Sequence, residues 1–390
     1  MQPNVRILIL ACSTTVMAQL GVTLYLPATP YIVYALGMSE AEGYNALLMY
    51  LSGAAFPLIF AGHLIRLFGR SAVLLGFCCI FFSGSFLSVW ACDDKSFYLS
   101  RLMQGFGGGG AALLGRALLS EVFSGGHLAR NLSLLSYSFL FALAAGQVAS
   151  GLLVSFFRWE VVAVVMACGS VITAILMLPV RETLSALDIA SQQRVGRPRY
   201  AAMVSHPSFY LPVILGGCGY GVFVVYQGVG VYVFDALLEW NGAQYGMFGV
   251  WLGGAYWLGA LSVRCALRSV SLSALSMMAS GVLLFAVSVF LLTTLKHLDR
   301  HFIFFAYLAV WYAQAMIYPC VASMAVKKYP GIEAMMLFSF LQQLVALLFA
   351  TLASLLIAVG MHGVALLTLG LGVLGALVTV LLANNRSSQT

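Results

Sequence analysis

The chain has 390 residues, 62% of them hydrophobic and only 8% charged, with a net charge of +7. An ordinary soluble domain carries about 25% charged residues, and a soluble fold of this composition would expose apolar patches larger than a monomer tolerates. A bilayer solvates that surface instead, and the positive balance does not mark a nucleic-acid binder, because the charges fall in short gaps between apolar runs rather than on one face.

Apolar runs long enough to cross a bilayer predict helices near 6–27, 44–65, 72–92, 97–121, 132–156, 160–180, 208–234, 243–265, 271–294, 301–326, 334–358 and 362–384, twelve in all. Lipid offers no partner for backbone polar groups, so each must be helical. The first run, after Arg6, is too long for a signal-peptide core and reads as a retained helix. The expected fold class is an all-α integral membrane protein. Its longest polar stretch, 181–206, carries Arg194, Arg197 and Arg199 and divides the helices into a half over 1–180 and a half over 207–390. Two six-helix halves joined by a basic linker suit a substrate site at the midplane. With the N-terminus inside, Arg6, Arg66, Arg70, Arg130, Arg181, Arg194, Arg197, Arg199, Arg264, Arg268, Lys327, Lys328 and Arg386 fall on the cytoplasmic side. Only Lys95, Arg158, Lys296 and Arg300 fall outside, so both termini are expected in the cytoplasm. The eight cysteines show neither metal-ligand spacing nor a disulfide framework and read as small buried hydrophobes.

Helix 1 ends Gln19-Leu20-Gly21-Val22-Thr23-Leu24-Tyr25-Leu26-Pro27-Ala28-Thr29-Pro30. The loop after helix 2 reads Gly62-His63-Leu64-Ile65-Arg66-Leu67-Phe68-Gly69-Arg70, and its glycines permit a tight turn; the plain alternative is an ordinary basic inner loop. Helix 4 holds Arg101, Gln104, Gly105, Gly108, Ala112 and Arg116 within about 60° of one direction. A buried arginine is costly unless it faces a cavity or a partner, so this stripe is expected to line a water-filled path. The alternative is that Arg101 and Arg116, about 22 Å apart along the axis, snorkel to opposite surfaces. Glu121 points roughly 160° away from the stripe and is read as a gate residue. The run Gly105-Phe106-Gly107-Gly108-Gly109-Gly110 satisfies G-x-G-x-x-G, but it lies inside a spanning helix and suits close packing rather than a nucleotide. Helix 5 carries Gly146-Gln147-Val148-Ala149-Ser150-Gly151, where packing explains most of the small residues.

The loop and the Arg101–Gln104–Gly105 pattern resemble motifs of the major facilitator transporters. Tyr25-Leu26-Pro27-Ala28-x-Pro30, Arg116-Ala117, His206-Pro207-Ser208-Phe209 and the helix-11 glutamines resemble the Bcr/CflA branch of drug:proton antiporters, over essentially the whole chain. The resemblance implies a multi-pass protein of the bacterial inner membrane that exports small amphipathic organic compounds by alternating access. It implies no covalent chemistry, no cofactor, no metal and no nucleic-acid partner; protons are the candidate co-substrate, and a monomer is the default. Three features depart from it. The acid usual two residues before Tyr25 is Thr23, the acid of the signature loop is Arg66, and the helix-5 proline is Gln147.

No Asp, Glu or His falls in the middle of a predicted helix, although proton coupling needs a group that titrates in the cavity. Coupling is therefore expected to move to Glu121 or Asp235, or to vanish. A cavity holding Arg101 favours anionic, zwitterionic or neutral solutes, which supports a rival reading as a permease or uniporter for a metallophore-like or amino-acid-like anion. A third reading is a non-transporting receptor or scaffold. The remaining candidate substrate contacts are Gln19, Tyr25, Tyr50, Tyr137, Tyr226, Gln227, Trp311, Gln314, Gln342 and Gln343, polar or aromatic residues within helices suited to an amphipathic ligand. Gly62, Arg66, Gly69, Arg70, Glu121 and Asp235 are the gating and coupling candidates.

Overall fold

The computed structural model describes residues 3–123, 125–180, 203–266, 269–327, 332–357 and 360–387. In chain order they form α1 (Pro3–Thr23), α2 (Tyr25–Leu36), α3 (Glu40–Ala55), α4 (Pro57–Phe68), α5 (Arg70–Val89), α6 (Asp94–Val122), α7 (Gly125–Phe156) and α8 (Glu160–Met177). These are followed by α9 (Pro207–Leu238), α10 (Gly242–Ala266), α11 (Leu272–Thr294), α12 (Phe302–Val326), α13 (Ile332–Ile357) and α14 (Met361–Ser387). The expected linker lies outside the described residues as far as residue 202.

Ten of these helices, α1, α5 and α7 to α14, are long and apolar enough to cross a membrane by length and composition. The twelve expected from sequence differ in two places. The run expected over 44–65 is broken into α3 and α4, of 16 and 12 residues. The α6 helix carries Asp94, Lys95, Arg101, Arg116 and Glu121, which lower its hydropathy.

Prolines explain the breaks. Pro57 has no N–H to offer the Gly53 carbonyl, and α3 ends at Ala55. Pro27 likewise leaves the Thr23 carbonyl without its helical donor, and the first predicted helix breaks at Leu24. It then resumes as α2 and runs to Leu36, nine residues beyond the expected end at 27, where Gly37 at φ 64° closes it. Helix starts follow ordinary capping chemistry. Ser39 and Glu42 form a capping box on α3, Asp93 and Ser96 form another on α6, and the His206 imidazole accepts from the Ser208 amide at the head of α9.

The chain divides into two compact units: Met1–Arg197 with Gly242–Gly249, and Pro198–Asn241 with Val250–Thr390. In the first unit α6 is the central element, packed on α1, α3 and α5. Its glycines allow this. A Cβ on Gly105 would collide with the Tyr50 carbonyl oxygen, and one on Gly107 would come within 2.5 Å of the Phe77 carbonyl oxygen. In the second unit α9 is central, packed on α12, α13 and α14, and most of its side chains are buried. The outward side chains are apolar as well: Phe82 and Phe86 on α5, Trp90 just past its end, and Ile172 and Ile175 on α8 are exposed. Water would not tolerate such a surface, and lipid does.

Candidate functional site

The break in the first helix builds the site of the first unit. Arg101 on α6 reaches it and is 1% exposed. Its Nη2 donates to the Gly21 carbonyl at 2.8 Å, and its Nη1 donates to Gln104 Oε1 at 2.5 Å. The guanidinium lies over the rings of Tyr25 and Tyr50, 4.3 and 4.8 Å from their centroids, a favourable cation–π arrangement in a desolvated setting. The two tyrosines are fixed in turn. Tyr25 donates its hydroxyl to the Gly43 carbonyl at 3.0 Å, and Tyr50 donates to the Ala18 carbonyl at 2.5 Å. Gln104 Nε2 donates to Ser85 Oγ on α5 at 3.3 Å. Five helices, α1, α2, α3, α5 and α6, thus clamp one cation through neutral groups, and the guanidinium keeps its charge at any physiological pH.

Thr23, which stands where an acid was expected from the resemblance, is fully buried. Its hydroxyl lies 3.0 Å from the Ala142 carbonyl of α7 and 3.1 Å from its own helix's Gln19 carbonyl, and it donates there. Ser150 of α7 donates to the Leu24 carbonyl. Position 23 therefore ties α1 to α7, and Gly146 leaves the space for its hydroxyl. Gln147 is buried among Gly246 and Gly249, and neither of its amide atoms has a hydrogen-bond partner.

The helix-4 stripe stays on one face, and its course is mixed. Gly105 and Gly108 press on Tyr50, while Arg116 is exposed and folds its Nε back to the Ala112 carbonyl at 3.2 Å. Gln19 is half-buried, and Tyr137 is 49% exposed on α7. Gly69 adopts φ 79° between α4 and α5, the turn expected of it, and Arg70 behind it is buried. The side chains of Arg66 and Glu121 lie outside the described ones, and so do the surroundings of Gly62. Asp235 is exposed near the end of α9.

The second unit brings the remaining candidates onto adjacent helices. Tyr226 of α9 sits 4.8 Å, centroid to centroid, from both Phe290 and Tyr307, and Trp311 of α12 sits 4.7 Å from Phe223 and 5.8 Å from Tyr307. Within and beside this aromatic cluster Gln227 Nε2, Trp311 Nε1 and Gln314 Oε1 are buried without hydrogen-bond partners. Gln342 donates to the Gly216 carbonyl at 3.3 Å, whereas Gln343 is half-buried. Such a wall offers neutral donors and acceptors to an uncharged or amphipathic group.

Sequence reasoning missed Ser85, which carries no signal beyond its place in an apolar helix, and read Ser150 only as a small packing residue.

Residues 11–333 match the family model described as Major Facilitator Superfamily. The chain is similar to the multidrug resistance protein MdtL of Shewanella oneidensis, 24% identical over 298 residues that cover 76% of this chain and 75% of that protein. It is also similar to MdtL of Salmonella schwarzengrund, 29% identical over 182 residues, and here the match spans about half the length, 46%, of either protein. Among solved structures it is similar to a D-xylose-proton symporter, with a TM-score of 0.81 and 13% identity over 97% of both chains. The POT family transporter PepTSo has a TM-score of 0.79 at 12% identity, over 100% of this chain and 99% of that one. At these identities the structural likeness speaks for the fold alone.

Proposed function

The chain belongs to the Major Facilitator Superfamily, a family of transporters rather than enzymes, and from that premise we propose that it is a Bcr/CflA-like secondary transporter of the bacterial inner membrane that exports small amphipathic organic compounds by alternating access. The observation that carries this reading is the similarity to a multidrug resistance protein along 76% of the chain. In this reading α6, and α3 together with α4, add two spans to the ten apolar ones, making twelve, and both termini are cytoplasmic. The halves are 1–180 and 207–390. The candidate substrate contacts are Gln19, Tyr137, Gln147 and Arg116 in the first half and Tyr226, Gln227, Trp311, Gln314, Gln342 and Gln343 in the second. Thr23, Tyr25, Tyr50, Arg101 and Gln104 set the shape of the first half around the broken helix. Gly62, Arg66, Gly69 and Arg70 form the inner gate, and any proton coupling falls to Glu121 or Asp235.

A second reading, a permease for organic anions, is favoured by one observation: the charged side chains buried among the described residues are both arginines, Arg70 and Arg101. Cationic drugs are drawn to intramembrane carboxylates, and the buried described residues hold none.

One experiment separates the readings. Solute movement is measured in proteoliposomes with and without an imposed pH gradient, across matched cationic, anionic and neutral amphiphiles. Export predicts gradient-driven movement of cationic or neutral amphiphiles and raised drug tolerance in a pump-deficient bacterial host. Gradient-independent exchange of anions alone would replace export with the permease, and no movement of any solute would refute transport.

A further inference from the structure

Arg101 is a buried charge surrounded only by neutral groups. Its hydrogen-bond acceptors are a backbone carbonyl and an amide oxygen, and its ring neighbours are two tyrosines. Among the described residues no carboxylate forms an ion pair with it. Asp94, the acid nearest along its own helix, is seven residues away, roughly 10 Å along the axis. The guanidinium cannot shed its proton, and a buried charge without a counter-charge is strongly unfavourable. One donor is also unused: Nε is buried and has no hydrogen-bond partner.

Arg101 also lines a small, half-open cavity. Arg101, Gln104, Tyr25, Ser88, Phe97 and Trp159 contribute to its wall, and among the described residues Arg101 is the only charged one lining it. It belongs wholly to the first unit. It has room for little more than one water molecule, far short of the several hundred cubic ångströms that a drug-sized solute needs. Trp159 meets Phe97 edge to face at 5.9 Å, and Phe97 lies 5.9 Å from Tyr25, so the three rings in its wall form one contiguous row.

We infer that this cavity binds one small inorganic monovalent anion of the halide class, held by Arg101 as its counter-charge. The size of the cavity excludes a transported solute, and the single positive charge favours a monovalent over a divalent ion. Bound there, the anion neutralises the clamp that joins α1, α2, α3, α5 and α6. The inference does not depend on what the protein carries or on whether it exports.

The test uses the full-length protein, purified and reconstituted in nanodiscs in sodium gluconate at constant ionic strength. Chloride, bromide and iodide are titrated in place of gluconate, with apparent melting temperature and tryptophan fluorescence as readouts. Chloride is expected to raise the melting temperature by a few degrees and to saturate, as linked binding requires. Iodide is expected to quench a saturable part of the emission, because Trp159 lines the cavity, and chloride should reverse that quenching. Trp159→Phe should lose the saturable quenching and keep the chloride-dependent shift in melting. Arg101→Gln should lose both; if it does not fold, the pairing of wild type with Trp159→Phe still locates the ion. Equal melting in chloride and gluconate would overturn the inference. So would a halide effect that rises without saturation, or quenching that survives in Trp159→Phe. Competition by a bulky organic carboxylate but not by chloride would also overturn it, placing a solute's carboxylate at Arg101 instead.

Discussion

Replacing Gly105 by alanine tests the close contact on which the first unit is built. A Cβ there would collide with the Tyr50 carbonyl oxygen and come 2.8 Å from its carbonyl carbon and 3.0 Å from the Ala54 nitrogen. All three atoms are backbone of α3, so no side chain can swing aside, and the two helices must separate. A gap of about 0.5–1 Å already forfeits a quarter to a half of each dispersion contact along the seam, and overpacking of this kind costs about 1–3 kcal/mol. Alanine recovers up to about 1 kcal/mol of helix propensity, leaving a net loss of up to about 2 kcal/mol. The control is Gly76→Ala on α5, where nothing lies within 4 Å of the new methyl group. Only propensity acts there, and a gain of roughly 0.5–1 kcal/mol is expected. Both variants are melted in one detergent at one scan rate, since unfolding of such proteins is a kinetic quantity. At about 2–4 °C per kcal/mol, Gly105→Ala should melt below the wild type and Gly76→Ala at or above it. Separation of α3 from α6 also moves the Tyr50 ring off Arg101, so drug tolerance should fall with Gly105→Ala and hold with Gly76→Ala. If the two variants melt alike, the backbone contact between α3 and α6 is not what requires glycine.

Gln147→Leu replaces a buried amide that lacks both partners. Leaving such a group unsatisfied costs about 1–3 kcal/mol, so the variant should melt higher than the wild type while transport in proteoliposomes falls; unchanged transport would remove Gln147 from the substrate path. Trp311→Phe keeps the ring against Phe223 but removes the buried, unpartnered indole N–H. An apparent KM higher by a few-fold to tenfold for solutes bearing a hydrogen-bond acceptor is expected, about 0.5–1.5 kcal/mol, and an unchanged KM would count against a substrate contact there. Asp93 caps α6 and accepts from the Ser96 hydroxyl and amide, which holds its carboxyl below the usual range. Because the folded value lies below the unfolded one of about 3.9, the stability it lends is present above that pH and lost as pH falls through the folded value. Asp93→Asn keeps a capping acceptor and removes the titration, so its melting temperature should decline less than that of the wild type between about pH 5 and 3.

The membrane class, the helical content and most helix positions follow from sequence because they depend on one local quantity, the length and apolarity of each run, read against a solvent with no hydrogen bonds to offer. The turn at Gly69 was legible for a similar reason: a glycine between two helical runs answers to its own backbone. Pro57 was equally visible, yet whether a proline kinks a helix or divides it depends on what packs on either side, and here α3 ends at Ala55. Partner choice was not legible at all. Arg101 was read as facing a water-filled path, and folding supplies it, besides Gln104 of its own helix, with the Gly21 carbonyl and two tyrosine rings from three other segments. Thr23 was marked by the acid it replaces, and only packing on α7 shows its hydroxyl bonding across to Ala142. Apolarity is additive along a chain and can be summed from residue types. A hydrogen bond or a cation–π contact needs two groups within a few ångströms in a set orientation, and that geometry exists only once the helices have packed.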